Sequence, residues 1–86
     1  MFKLNFVRFP NPIYPEAVQW MAMHGHHSFS IIREDDGTYT ATSKDRLQMR
    51  VPCKYIPTDD HAFDTFDDAI DACNLEALRL SRQGKH

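Results

Sequence analysis

The stretch Phe29–Thr42, FSIIREDDGTYTAT, decides how this chain folds. Isoleucine, threonine and tyrosine flank the turn residues Asp35-Asp36-Gly37, the composition of two strands meeting at a β-hairpin. Two loop lengths compete. A two-residue loop at Asp36-Gly37 sets Ile32 opposite Ala41, and Phe29 and Ile31 then share their face with Thr40 and Thr42. A three-residue loop, with Gly37 left-handed, pairs Ile31 with Ala41 instead. Phe29, Ile31, Tyr39 and Ala41 then form one apolar face. A slip of one residue turns every side chain to the other side, so the coherent face selects the three-residue loop.

On the N-terminal side, MHGHHSF (residues 23–29) places three histidines, His24, His26 and His27, around Gly25. Before it, PEAVQWMAMH carries Pro15 and Glu16 where a helix start favours them and Gly25 where a helix stops. The segment predicts a short helix of about ten residues, held by packing. Phe2, Leu4 and Phe6 alternate with Lys3 and Asn5, predicting a first strand over about residues 2–8. Pro10 and Pro12 break it.

On the C-terminal side, RLQMRVPCKY (residues 46–55) alternates cleanly. Leu47, Met49, Val51, Cys53 and Tyr55 point one way; Arg46, Gln48, Arg50, Pro52 and Lys54 point the other. The pattern predicts a third hairpin-side strand, with Pro52 marking an edge or a bulge. A loop follows, then a long helix. Thr65 is its N-cap, Asp67 and Asp68 suit its first turn, and Gly84 ends it. Phe66, Ile70, Cys73, Ala77 and Leu80 form its apolar stripe.

At 86 residues the chain makes one domain. A charged fraction of 26% beside 42% apolar residues is that of a folded globule, and the net charge of −2 is no handle for DNA or an anionic membrane. No apolar run has transmembrane length, and the first residues are too polar for a signal peptide. A cytoplasmic location is expected, with Cys53 and Cys73 reduced and buried.

Few motifs carry chemistry. Three imidazoles could serve zinc, but His26 and His27 are adjacent and in a strand would point to opposite faces. The cluster therefore reads first as a boundary between helix and strand, and a metal-binding or hydrolytic role for His24–His27 is a second alternative. Six aspartates and no Lys or Arg lie between Asp59 and Asp71. They lack the Gly and Glu of a calcium loop and suit a helix N-terminus or a basic partner. Arg46, Arg50 and Lys54, with Gln48 between them, form a basic strand face that could meet an acidic protein patch or a phosphate backbone, or equally be a solvated face on which Lys54 discourages edge pairing. No aromatic residue alternates with them, which favours protein. No nucleophile elbow, phosphate loop or zinc-protease motif is present.

The hairpin FSIIREDDGTYTAT, a third strand, and DTFDDAIDACNLEALRL (residues 64–80) together resemble the HicB-like antitoxin module. Asp36, Gly37, Tyr39 and Ala41 match its hairpin; Asp64, Thr65, Asp68, Ala69 and Asn74 resemble its helix start. The likeness covers about residues 27–80. Phe63 stands where that family has a glycine, and its P-x-x-x-G-C signature is missing. The resemblance implies a small non-catalytic binder of a protein partner.

The expected fold is a single two-layer α+β domain: an antiparallel sheet of about four strands packed by a long C-terminal helix, in the order β-α-β-β-β-α. The expected function is binding and modulating a protein partner, as an antitoxin or as an inhibitor from a phage or mobile element. Arg46, Gln48, Arg50, Lys54, Asp59, Asp60 and Asp64 are the candidate contacts. A nucleic-acid-binding module using the basic strand face is the alternative. Neither an enzyme nor a cofactor is expected, and a homodimer is compatible with this reading.

Overall fold

The computed structural model of the chain describes residues 3–10, 13, 18–57 and 61–83. Its elements are β1 (Val7–Arg8), β2 (Val18–His24), β3 (His27–Arg33), β4 (Tyr39–Asp45), β5 (Lys54–Ile56) and α1 (Phe66–Gln83). The strands form an antiparallel meander in chain order. The helix packs on one face of this sheet.

The β3–β4 hairpin adopts the register its apolar face requires, with Ile31 opposite Ala41 and Phe29 opposite Ser43. The Glu34 amide donates to the Thr38 carbonyl at 2.8 Å, leaving residues 35–37 as the loop. Gly37 sits there at φ +88°, a conformation that strains any residue with a Cβ. Asp36 Oδ1 accepts hydrogen bonds from the Thr38 amide and hydroxyl, closing an Asx turn.

The helix expected over residues 15–24 is instead the strand β2; residues 14–17 lie outside the described part. A ten-residue helix is marginal alone. As a strand the segment satisfies its backbone against both β1 and β3 and lays Trp20 against Phe66, with ring centroids 4.3 Å apart. Gly25, which resembles a helix stop, is the first central residue of a two-residue turn between β2 and β3, at φ +60°. His26, the second, has negative φ, as a type II′ turn requires. The sheet therefore has five strands, and the described elements run β-β-β-β-β-α.

Of the strand expected over residues 2–8, Phe2 lies outside the described residues, and the described part pairs only at Val7–Arg8, as β1. Leu4 and Phe6 are half-buried against the core, but the Leu4 amide donates to Asn74 Oδ1 on α1 at 2.7 Å instead of joining the sheet.

The strand expected over residues 46–55 survives only as β5. Residues 46–53 turn, and Leu47, Met49 and Val51, expected in the core, are 74, 76 and 50% exposed. Two causes are visible. β3 begins at His27, opposite Asp45, so the chain beyond Asp45 has no strand to pair with on that side. Asp45 also accepts the Leu47 amide at its Oδ1, at 3.0 Å, and its carbonyl accepts the Gln48 amide. A side chain that offers the backbone a turn competes with the ladder. Cys53 is exposed as well, leaving Cys73 as the buried thiol. Burial pushes the Cys73 thiol up to about 12.

The helix forms as expected, with the Asp68 amide donating to Thr65 Oγ1 at 3.1 Å. Gly84 lies outside the described residues. Phe29, Ile31, Ala41 and Ile56 from the sheet meet Ala69, Cys73 and Ala77 from the helix to form the core. The small helix residues let the two layers approach closely, and Trp20, Tyr39, Phe66, Ile70 and Leu80 close the margins.

Candidate functional site

Two features adjoin on the β5 side of the molecule. The first is an open cleft of about 420 Å³ between the edge strand and the helix. Tyr55, Ile56, Phe63, Ala72 and Leu75 give it apolar walls, and Lys54 and Arg79 stand at it with Glu76. Leu75 and Tyr55 are 68 and 43% exposed. Glu76 ties the cations down. Its Oε1 accepts from Arg79 Nε at 2.9 Å, and its Oε2 lies 3.9 Å from Lys54 Nζ. The Arg79 hydrogen bond, aided by the charges of Arg79, Lys54 and His27, holds the Glu76 carboxyl below its usual range.

The second feature is a smaller depression of about 140 Å³ lined by His27, Ser43, Asp45, Val51 and Pro52. It shares Lys54, Glu76 and Arg79 with the first. The exposed loop of residues 46–53 thus borders a continuous edge surface.

The basic stripe does not exist as one strand face. Arg46 Nη2 donates to the Gly25 carbonyl at 2.7 Å, and Gln48 Nε2 donates to Asp45 Oδ2 at 3.2 Å. Arg50 is exposed on the loop, and Lys54 lies on β5 beside the helix. Lys44 Nζ donates to the carbonyls of Met49 and Val51, fastening the loop to β4. Asp64 is exposed ahead of the helix, and Asp59 and Asp60 lie outside the described residues.

No protein-family model matches the chain, and no curated protein or solved structure is significantly similar to it.

The histidines separate into two groups. His24 ends β2, not a helix, and its Nε2 lies 2.9 Å from Ser81 Oγ on α1. His26 and His27 were expected to point apart. They come together because His26 belongs to the turn, where strand alternation does not apply; their rings lie 4.5 Å apart. His26 Nδ1 lies 2.9 Å from Asp45 Oδ1. One ligand atom from each of His26, His27 and Asp45 falls within 4.8 Å of the others. The Leu47 amide, and next to it the bond to His26, keep the Asp45 carboxyl below its usual range. Desolvation, followed by the charge of His26, lowers the His27 imidazole.

Asp45 was missed in the sequence, although the signal was there. The register that pairs Ile31 with Ala41 runs on to pair His27 with Asp45.

Proposed function

We propose that the chain is a small non-catalytic binding module that captures a protein partner along its β5 edge. The observation that carries this is the exposure of Tyr55 and Leu75 at the cleft shared by β5 and α1, with Val51 exposed at the adjoining depression and Leu47 and Met49 exposed on the same loop as Val51. Exposed apolar side chains lining a cleft are a mark of an interaction site in a small domain. Methionine adapts its shape to a partner at little cost. Among the described residues, β5 also has a strand neighbour on one side alone, and an extended segment can add to its other edge. Lys54 and Arg79 at the cleft, with Arg50 exposed on the loop, favour a partner segment that mixes acidic with apolar side chains. The order β3-β4-β5-α1 is the one the antitoxin-like resemblance implies, and it supports the same reading. Dispersal of the basic stripe argues against a tracked phosphate backbone, as does the net charge of −2.

The test is selection of a displayed random-peptide library on the immobilised native chain. Enriched peptides should combine Asp or Glu with aromatic or aliphatic residues. A Leu47→Ser/Met49→Ser/Arg50→Glu variant should lose them while keeping its melting temperature. Binding of random-sequence single-stranded DNA or RNA with a steep salt dependence, and no enriched peptide, would overturn the reading.

A further inference from the structure

We propose that His26, His27 and Asp45 form a site for a borderline divalent transition metal, with Zn²⁺ as its occupant. Two imidazoles and one carboxylate are a zinc donor set, and three protein ligands leave a fourth position for water. Hard cations such as Mg²⁺ and Ca²⁺ take oxygen ligands, so two nitrogens select against them.

The geometry is close to what the metal needs. Donor atoms around tetrahedral zinc stand about 3.3 Å apart, given metal–ligand distances of about 2.0–2.1 Å. His26 Nδ1 and Asp45 Oδ1 are already 2.9 Å apart, and all three donors lie within 4.8 Å. The separation left to close involves His27, and the His26 side chain, 49% exposed at the turn, has solvent on one side into which it can adjust. Metal binding at Nδ1 needs only the neutral tautomer with its proton on Nε2, so no proton has to leave a neutral ring.

The frame around these ligands is fixed. His27 and Asp45 are direct cross-strand partners at the ends of β3 and β4. The Arg46 amide donates to the His26 carbonyl at 2.8 Å, and Arg46 Nη2 holds the Gly25 carbonyl. Asp45 is oriented by the Leu47 amide, which donates to Oδ1, and by Gln48 Nε2, which donates to Oδ2. Such outer hydrogen bonds set the direction of a ligating carboxylate. The same bonds root the exposed loop of residues 46–53, so zinc would also fix the start of that loop. The site itself does not depend on the docking reading, and its test uses no protein partner.

The experiment is calorimetric titration of the chelator-treated native chain with Zn²⁺, with Co²⁺ absorption as a second readout. One equivalent should bind saturably, Co²⁺ should give visible bands, and excess Mg²⁺ should displace neither. Ring signals of His26 and His27 should move in nuclear magnetic resonance spectra. His26→Ala and Asp45→Asn should each weaken binding by at least the roughly 10–100-fold that loss of an outer-shell partner costs. His24→Ala, outside the cluster, should bind as the native chain does. Circular dichroism confirms that each variant is folded, and the His26 change, at an exposed turn, keeps the test open should Asp45→Asn unfold. Absence of saturable Zn²⁺ binding would overturn the proposal. So would binding that survives both ligand substitutions, or ring shifts confined to other histidines.

Discussion

Ile31 and Ile32 are neighbours in β3 that face opposite sides of the sheet, and replacing each by alanine tests the register directly. Ile31 is completely buried on the face that meets the helix. Its core cluster includes Ala41, Ala69, Cys73 and Ala77, short side chains on paired strands and a helix. They have little reach to fill a vacated space, which places Ile31→Ala in the middle of the roughly 2–5 kcal/mol range for such truncations, at about 3–4 kcal/mol. Ile32 lies opposite Gln19 and Thr40 on the other face and is only half-buried. Its truncation loses β-branching and cross-strand contact, about 0.5–1 kcal/mol. At roughly 0.05–0.15 kcal/mol per residue, a chain of this length has about 4–13 kcal/mol of stability in total. The first substitution therefore removes a large part of it. Urea unfolding followed by circular dichroism reads the difference. With a slope of about 1 kcal/mol per molar, the midpoint should fall by about 3–4 M for Ile31→Ala and by about 0.5–1 M for Ile32→Ala. Equal shifts would mean that the helix does not cover this face. The reverse order would establish the two-residue loop and refute the register.

Thr65→Ala should cost about 1 kcal/mol by removing the cap on the Asp68 amide, and Thr65→Asn should recover most of it, read as melting temperature. A thiol reagent should modify Cys53 alone in the native chain and reach Cys73 only after unfolding, because the Cys73 thiol is buried and its pKa is about 12. Glu76 has a folded pKa below the usual 4.5, so its stabilisation is complete above that value and is lost as pH falls through the lower folded value. Glu76→Gln should therefore be less stable than the native chain at neutral pH and should lose less stability on acidification; parallel acid limbs in the two proteins would contradict this. Gly37→Ala should lower the unfolding midpoint although its Cβ would meet nothing within 4 Å, since the cost lies in φ +88° and not in space.

Elements whose signals are local and mutually consistent can be read from the order of residues alone. The β3–β4 hairpin was legible because only one register gathers Phe29, Ile31, Tyr39 and Ala41 on one face. The helix was legible because Thr65, the first-turn aspartates and a stripe from Phe66 to Leu80 agree. Segments whose patterns fit two structures were settled by their neighbours in space. Residues 18–24 carry too little alternation to choose between helix and strand, and Gly25 serves as a stop in one and as a turn in the other. The presence of β3 to pair with made the choice. Residues 46–53 alternate better than any other stretch, yet they run past the end of β3, where no strand among the described residues meets them, and Asp45 turns them outward. Alternation describes a strand only where a neighbour can satisfy its backbone. The His26–His27–Asp45 cluster follows from both: the hairpin register placed Asp45 opposite His27, and the turn that no periodicity describes brought His26 to join them.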